Sequence, residues 1–254
     1  MLPPGTWPLA GFVLGAIIGS FLATLVLRWP QERSVLAGRS VCDGCGRMLG
    51  AIDLVPLFSA IILCGKCRTC GARIDWLHFG VELGCALAGA VALWLAPGIE
   101  GLGWAVFAWL LIVLAVLDYR HFWLPDALTL PLAFLGLTLG TWVNGVTLAD
   151  RVIGAAAGYG ALMVIAVGYR HLRGREGMGG GDPKLLGAIG AWMGWPVLPL
   201  LLVIASVTAL LTIGLGAARG RGVTSTTRIP LGTFLAVAAF PAWIASRIMG
   251  SAYS

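Results

Sequence analysis

Long apolar runs separated by short polar stretches organise this chain. They fall at roughly 7–27, 77–96, 102–118, 127–143, 152–169, 184–195, 197–217 and 230–247. Most approach the ~20 residues that a helix needs to cross a hydrocarbon layer of about 30 Å. The sixth is short, and Gly194-Trp195-Pro196 marks a tight return after it. The pattern predicts an all-α polytopic membrane protein with about eight transmembrane helices. The first charged residue is Arg28. A cleavable secretory signal would carry basic residues in front of a shorter apolar core, so residues 1–27 read as a permanent first transmembrane helix. The longest polar stretch, 28–76, forms an insert between helices 1 and 2, and 77–254 forms the remaining bundle. Trp7, Trp29, Trp104, Trp142 and Trp195, near span ends, read as interfacial anchors.

Composition sharpens this reading. Hydrophobic residues make up 59% of the chain and charged residues 11%, with a mean hydropathy of +0.92. Those values exclude a disordered chain and argue against a soluble domain. The net charge of +6 raises the question of nucleic acid, but its distribution answers it. Eight crossings place both termini on one side. With the termini outside, all but Arg151 and Arg247 of the 17 Lys and Arg residues lie on the inner side. Positive charge concentrates in cytoplasmic loops, so the insert faces the cytoplasm and both termini face the periplasm. The basic partner is then inner-leaflet lipid and not nucleic acid.

Two aspartates carry the candidate chemistry. Asp118 ends the third run, in Ala115-Val116-Leu117-Asp118-Tyr119-Arg120, and Asp182 opens the sixth, in Gly179-Gly180-Gly181-Asp182-Pro183-Lys184. Topology drawn from Lys and Arg alone puts both on the cytoplasmic face. Ionisable residues at the edge of a span are costly and usually functional. Two carboxylates brought together share a proton and activate water, the equipment of an aspartic protease. Asp182 before Pro183 also reads as an ordinary N-cap. Glycines around it let the backbone approach an extended substrate closely. A helix N-terminus favours charge on Asp182, and a C-terminus disfavours it on Asp118, which makes Asp182 the base and Asp118 the acid. Asp126, after Leu124-Pro125, reads as the N-cap of the next span and ranks second to Asp118. Glu82 follows Arg73, Asp75 and His78, and either pairs with a base or holds a substrate amine. His121 and His171 read as solvated loop residues.

The insert holds Cys42-Asp43-Gly44-Cys45 and Cys67-Arg68-Thr69-Cys70, two CxxC knuckles with 21 residues between them. Each offers two thiolates to one tetrahedral zinc ion, at a spacing near that of zinc ribbons. Cys64-Gly65-Lys66-Cys67 is also a CxxC, and free or redox-active thiols are the other reading. Four sulfur ligands leave no open position, so such a zinc is structural. Cys85 lies in an apolar run and reads as a small buried hydrophobe. Leu54 to Leu63 is apolar, too short to span, and suited to lying on the inner membrane surface.

In order and spacing, several motifs resemble those of the bacterial type IV prepilin peptidases, also called leader peptidase/N-methyltransferases. They are Gly19-Ser20-Phe21-Leu22, the cysteine knuckles, and Val81-Glu82-Leu83. Asp118 follows, with Leu124-Pro125-Asp126 and Leu128-Thr129-Leu130-Pro131. Last comes Gly177-Met178-Gly179-Gly180-Gly181-Asp182 with Lys184-Leu185-Leu186. The resemblance covers nearly the whole chain. It implies a multi-pass inner-membrane protease of the GxGD class, with Asp118 and Asp182 as the catalytic pair. Gly179, Gly181 and Lys184 follow the motif, and Asp126 and Glu82 support the site. It implies one zinc on Cys42, Cys45, Cys67 and Cys70, leaving Cys64 extra. It further implies that prepilins or pseudopilins of a type IV pilus or type II secretion system are cut after glycine. The new amino terminus is then methylated from S-adenosylmethionine. The departures, at Ala23, Asp43 and Leu49-Gly50-Ala51-Ile52, fall in the amino-terminal half, which the family uses for methyl transfer. A monofunctional protease, a proton-coupled transporter and a zinc-bearing scaffold are the competing expectations.

Overall fold

The computed structural model describes residues 3–35, 40–42, 44–143, 145–174, 177–220 and 228–251. Asp43 of the first knuckle, Arg39, Arg175 and Arg221 lie outside the described residues. The described chain is helical, with two isolated antiparallel bridges, Val41 with Met48 and Lys66 with Arg73, in the insert. It divides into two compact units, Met1–Val113 and Leu114–Ser254.

The first unit contains α1 (Trp7–Arg28), a five-residue α2 (Phe58–Ile62), α3 (Trp76–Leu95) and the start of α4 (Ile99–His121). Helices α1 and α3 meet along a seam of small residues. Gly11, Gly15 and Gly19 recur every fourth position and so share one face of α1. A methyl on Gly11 or Gly15 would collide with the carbonyl oxygen of Gly89 or Cys85, and one on Gly19 would lie 2.9 Å from Cys85 Cβ and Glu82 Cα. Lipid tails are as apolar as leucine, so close backbone approach is what holds two membrane helices together. Cys85 is fully buried in this seam, and its carbonyl accepts from Trp109 Nε1 at 2.8 Å. Asp75 caps α3, its carboxylate accepting from the Leu77 N–H at 2.9 Å. Trp104 is buried edge-on to Phe107, so it is a core residue and not an interfacial anchor.

The second unit contains the rest of α4, α5 (Asp126–Thr138), a one-turn α6 (Gly140–Val143), α7 (Leu148–Arg173), α8 (Gly181–Met193), α9 (Leu198–Ala218) and α10 (Leu231–Ser251). Across both units, six described helices are long and apolar enough to cross a membrane. The shorter runs at 127–143 and 184–195 carry 13-residue helices, α5 and α8. At 1.5 Å per residue each is about 20 Å long, shorter than the six long helices. Helix α8 is a core helix: all but Gly181 and Lys184 of its residues are buried, against α5, α7 and α10. Glycines make this possible too. A methyl on Gly154 or Gly158 of α7 would lie 2.5 Å or 2.7 Å from the Gly190 or Leu186 carbonyl oxygen. Trp192, fully buried, donates to the Leu132 carbonyl of α5 at 2.7 Å.

Arg151, one of the two exceptions to the charge asymmetry, is wholly buried. Its Nη1 donates to Gly136 O at 2.6 Å and its Nε to Val146 O at 3.0 Å. It satisfies a carbonyl in the last turn of α5, where the helix offers no internal donor.

Candidate active site

Asp118 and Asp182 come together in the second unit. Asp118 lies in the last turn of α4 and Asp182 is the second residue of α8; they are 5% and 6% exposed. Asp182 is not the N-cap: Gly180 holds that position and has no side chain to cap the helix. Its carboxylate is free to face Asp118 instead. The third element is the N-terminus of α10. A methyl on Gly232 would lie 3.1 Å from one oxygen of each aspartate, so both carboxylates reach the same spot beside Gly232. The Gly232 and Gly179 N–H groups point at Asp182. Thr233 gives Asp118 Oδ2 two hydrogen bonds, from its N–H at 2.6 Å and its hydroxyl at 2.9 Å. Unpaired N–H groups at a helix N-terminus suit a carboxylate, and they offset the unfavourable end of α4 that the sequence puts at Asp118.

The glycines of the motif have different work. Gly181 abuts Leu124, whose Cβ would lie 2.7 Å from an added methyl, and Leu124 Cδ1 would also lie 2.7 Å from a methyl on Gly232. Leu124 therefore wedges between two of the three elements that carry the site. A methyl on Gly179 would meet only Asp182 Oδ2 at 3.7 Å, so that backbone is open beside the carboxylate.

Lys184 Nζ holds both oxygens of Asp126, at 2.7 and 2.8 Å, and so ties the start of α8 to the start of α5. Asp126 is the first residue of α5 and Pro125 its N-cap, so the capping role expected for Asp126 is not the one it plays. With Lys184 engaged, neither Asp118 nor Asp182 has an ion pair among the described residues. His121 and His171 are exposed on helices, outside this site.

Gly232 and Thr233 carry no signal of this role in the sequence. Pro230 before Leu231-Gly232-Thr233 marks a helix start. That this start meets Asp118, 115 residues earlier, is a tertiary fact.

The first unit gathers the other candidates. Glu82 is 4% exposed and accepts from the Leu57 N–H at 2.8 Å, with His78 Nε2 at 3.3 Å and the Ser20 hydroxyl beside it. It thus fastens the insert to α3 at Leu57, whose φ of 62° is unusual for a leucine. In the insert, Cys42, Cys45, Cys67 and Cys70 place their sulfurs within 4.8 Å of one another. Cys64 is not among them. Both knuckles fold alike. Cys42 and Cys67 accept at their carbonyls from Gly46 and Gly71, and donate from their N–H groups to Arg47 and Ala72. Gly46 and Gly71 have φ of 70° and 71°, which closes each turn. The N–H groups of Cys70 and Thr69 hold the Cys67 thiol down to about 6, ready to ligate as thiolate.

Two family models match the chain: the bacterial peptidase A24 N-terminal domain over residues 13–96 and the type IV leader peptidase family over 105–214. Similar proteins include three named prepilin leader peptidase/N-methyltransferase. That of Aeromonas hydrophila is 37% identical, over 92% of this chain and 88% of its own. That of Pseudomonas putida is 36% identical over the same shares, and that of Dickeya chrysanthemi 39% identical over 82% of each. No solved structure matches significantly. Matched in both units and along most of its length, the chain belongs to the type IV leader peptidase family.

Proposed function

We propose that this protein is an inner-membrane aspartic endopeptidase that removes the basic leader of prepilins or pseudopilins at the cytoplasmic face. It then methylates the new amino terminus. The names of its relatives support the two activities. The observation that carries the proteolytic mechanism is the pair of buried carboxylates flanking Gly232. Two carboxylates so close, with no cation between them, hold one proton jointly. A water placed between them loses a proton to the ionised carboxylate as it attacks the scissile carbonyl. The protonated carboxylate gives its proton to the carbonyl oxygen, and a proton passes to the leaving amine as the C–N bond breaks. Open backbone at Gly179 suits an extended substrate strand.

The tetracysteine cluster fits a structural zinc. Sulfurs at 2.3 Å from a tetrahedral ion stand about 3.8 Å apart, and Cys42 Sγ lies 3.8 Å from Cys70 Sγ. Phe58, Ile61 and Ile62 of α2 are exposed, which suits an insert resting on inner-leaflet lipid. The excess of Lys and Arg in its loops supports a cytoplasmic site with periplasmic termini. Methyl transfer belongs to the first unit. Its donor, S-adenosylmethionine, supplies an electrophilic methyl group, and the substrate amine must first lose one proton to attack it.

Incubation with a prepilin and S-adenosylmethionine, followed by intact mass, reads leader loss and methyl gain together. Knuckle variants are expected to lose methylation more than cleavage. Asp182→Asn is expected to lose both on full-length prepilin, yet to methylate a peptide that is already cut. An unchanged prepilin mass with wild-type enzyme would sink the proposal.

A further inference from the structure

The first unit holds an open cavity of about 390 Å³, bounded by the end of α1, the insert and the start of α3. That volume suits a small molecule and not a folded partner. Arg28, Lys66 and Arg73 line it, and their side chains make no hydrogen bond or ion pair with the described residues. They offer a site for a carboxylate. The wall also holds an acceptor in need of a donor. Asp53 Oδ2 accepts from Arg47 Nη2 at 2.8 Å and from the Gly50 N–H at 3.1 Å. Asp53 Oδ1 is buried and receives no hydrogen bond from the described residues; Arg68 Nε stands off at 3.6 Å. A buried acceptor left without a donor is costly, and a hydroxyl from a ligand removes the cost. Trp76 and Phe79, edge to face at 6.0 Å, add aromatic surface, and Trp76 is 65% exposed. A planar base stacks on such a surface.

A carboxylate, a hydroxyl-bearing sugar and a planar base on one small molecule describe an amino-acid nucleoside. We propose that this cavity is the S-adenosylmethionine site, with Arg28, Lys66 and Arg73 for its carboxylate, Asp53 for its ribose and Trp76 with Phe79 for its adenine. The inference rests on the methyl-transfer reading above. An anionic lipid headgroup satisfies the three cations but repels Asp53, whereas a ligand carrying both signs and hydroxyls answers to both. In the transfer, the methyl carbon leaves sulfur for the amine nitrogen. The sulfonium keeps the electron pair of the broken C–S bond, and the charge passes to the methylated ammonium.

The test is equilibrium binding of S-adenosylhomocysteine to the full-length, zinc-loaded enzyme by calorimetry, with zinc content and thermal melting as controls of folding. Arg73→Gln, Asp53→Asn and Trp76→Ala are each expected to weaken binding about tenfold or more while zinc stays bound. Because Asp53 also holds Arg47, Trp76→Ala and Arg73→Gln at the cavity wall decide the matter if Asp53→Asn unfolds the insert. Wild-type affinity in those two variants would overturn the site and leave methyl transfer standing. Absence of binding to the wild type, with no methyl gained on prepilin, would overturn the methyl-transfer reading itself. If the variants instead lose co-purifying phosphatidylglycerol and keep S-adenosylhomocysteine, the cavity holds a lipid headgroup and the proposal fails.

Discussion

The Thr233 hydroxyl stands between two acceptors, Asp118 Oδ2 at 2.9 Å and the Ala115 carbonyl at 3.1 Å. It has one proton. When Asp118 is ionised the hydroxyl donates to it. When Asp118 holds a proton, the hydroxyl can accept that proton's hydrogen bond and donate to Ala115. A carboxylate that changes protonation in each turnover is thus never left without a partner. Thr233→Val keeps the backbone N–H and removes the hydroxyl. It is expected to lower kcat for leader cleavage about tenfold, the worth of one hydrogen bond to a charged group. Its pH–rate profile should shift, and Thr233→Ser should restore both. A Val variant with wild-type rate and profile would remove Thr233 from the mechanism.

Each aspartate needs the other. Asp118→Asn and Asp182→Asn are each expected to reduce cleavage by roughly a thousandfold or more, and the double variant to be no worse than the single ones. Initial rates on a purified prepilin, with melting curves for folding, measure this. Substantial cleavage by either single variant would end the dyad mechanism.

Leu124 and Gly181 are expected to be coupled. Gly181→Ala drives a methyl to 2.7 Å from Leu124 Cβ, displacing the start of α8 and Asp182 with it. Cleavage should fall, and Leu124→Ala added to Gly181→Ala should recover part of it. Strictly additive losses in the double-mutant cycle would show that the wedge does not set the position of Asp182.

Metal analysis separates the two possible knuckles. Cys70→Ser is expected to lose about one zinc per chain and Cys64→Ser to retain it. Chelation of the wild type should loosen the insert, because its short polar chain has little core of its own. Retention of zinc by Cys70→Ser would place the site elsewhere.

The α1–α3 seam predicts a stability effect. Gly15→Val puts branched carbon where the Cys85 carbonyl now sits and is expected to destabilise the first unit by about 1–3 kcal/mol or more. A melting temperature equal to wild type would mean that the helices separate without cost.

Much of this was legible in the residues. Apolar run lengths defined α1, α3, α4, α7, α9 and α10, because a membrane span must satisfy its backbone within itself and reads as one continuous apolar helix. The cysteine knuckles were legible for the same local reason: two thiolates three residues apart, closed by a glycine, need nothing distant. Helices α5 and α8, at 13 residues each, are shorter than the six long spans, and apolar run length alone does not distinguish a short crossing from a buried core helix, since both are equally apolar. The tertiary structure alone decided what surrounds the aspartates. Local sequence assigns Asp182 to a cap and Asp118 to an unfavourable helix end. The arrival of Gly232 and Thr233 from α10 changes both environments, through contacts spanning 115 residues that leave no periodic trace. The cavity beside the insert is of the same kind. Arg28, Asp53 and Trp76 sit in three separate segments, and only the folding of the insert against α1 and α3 places them on one wall.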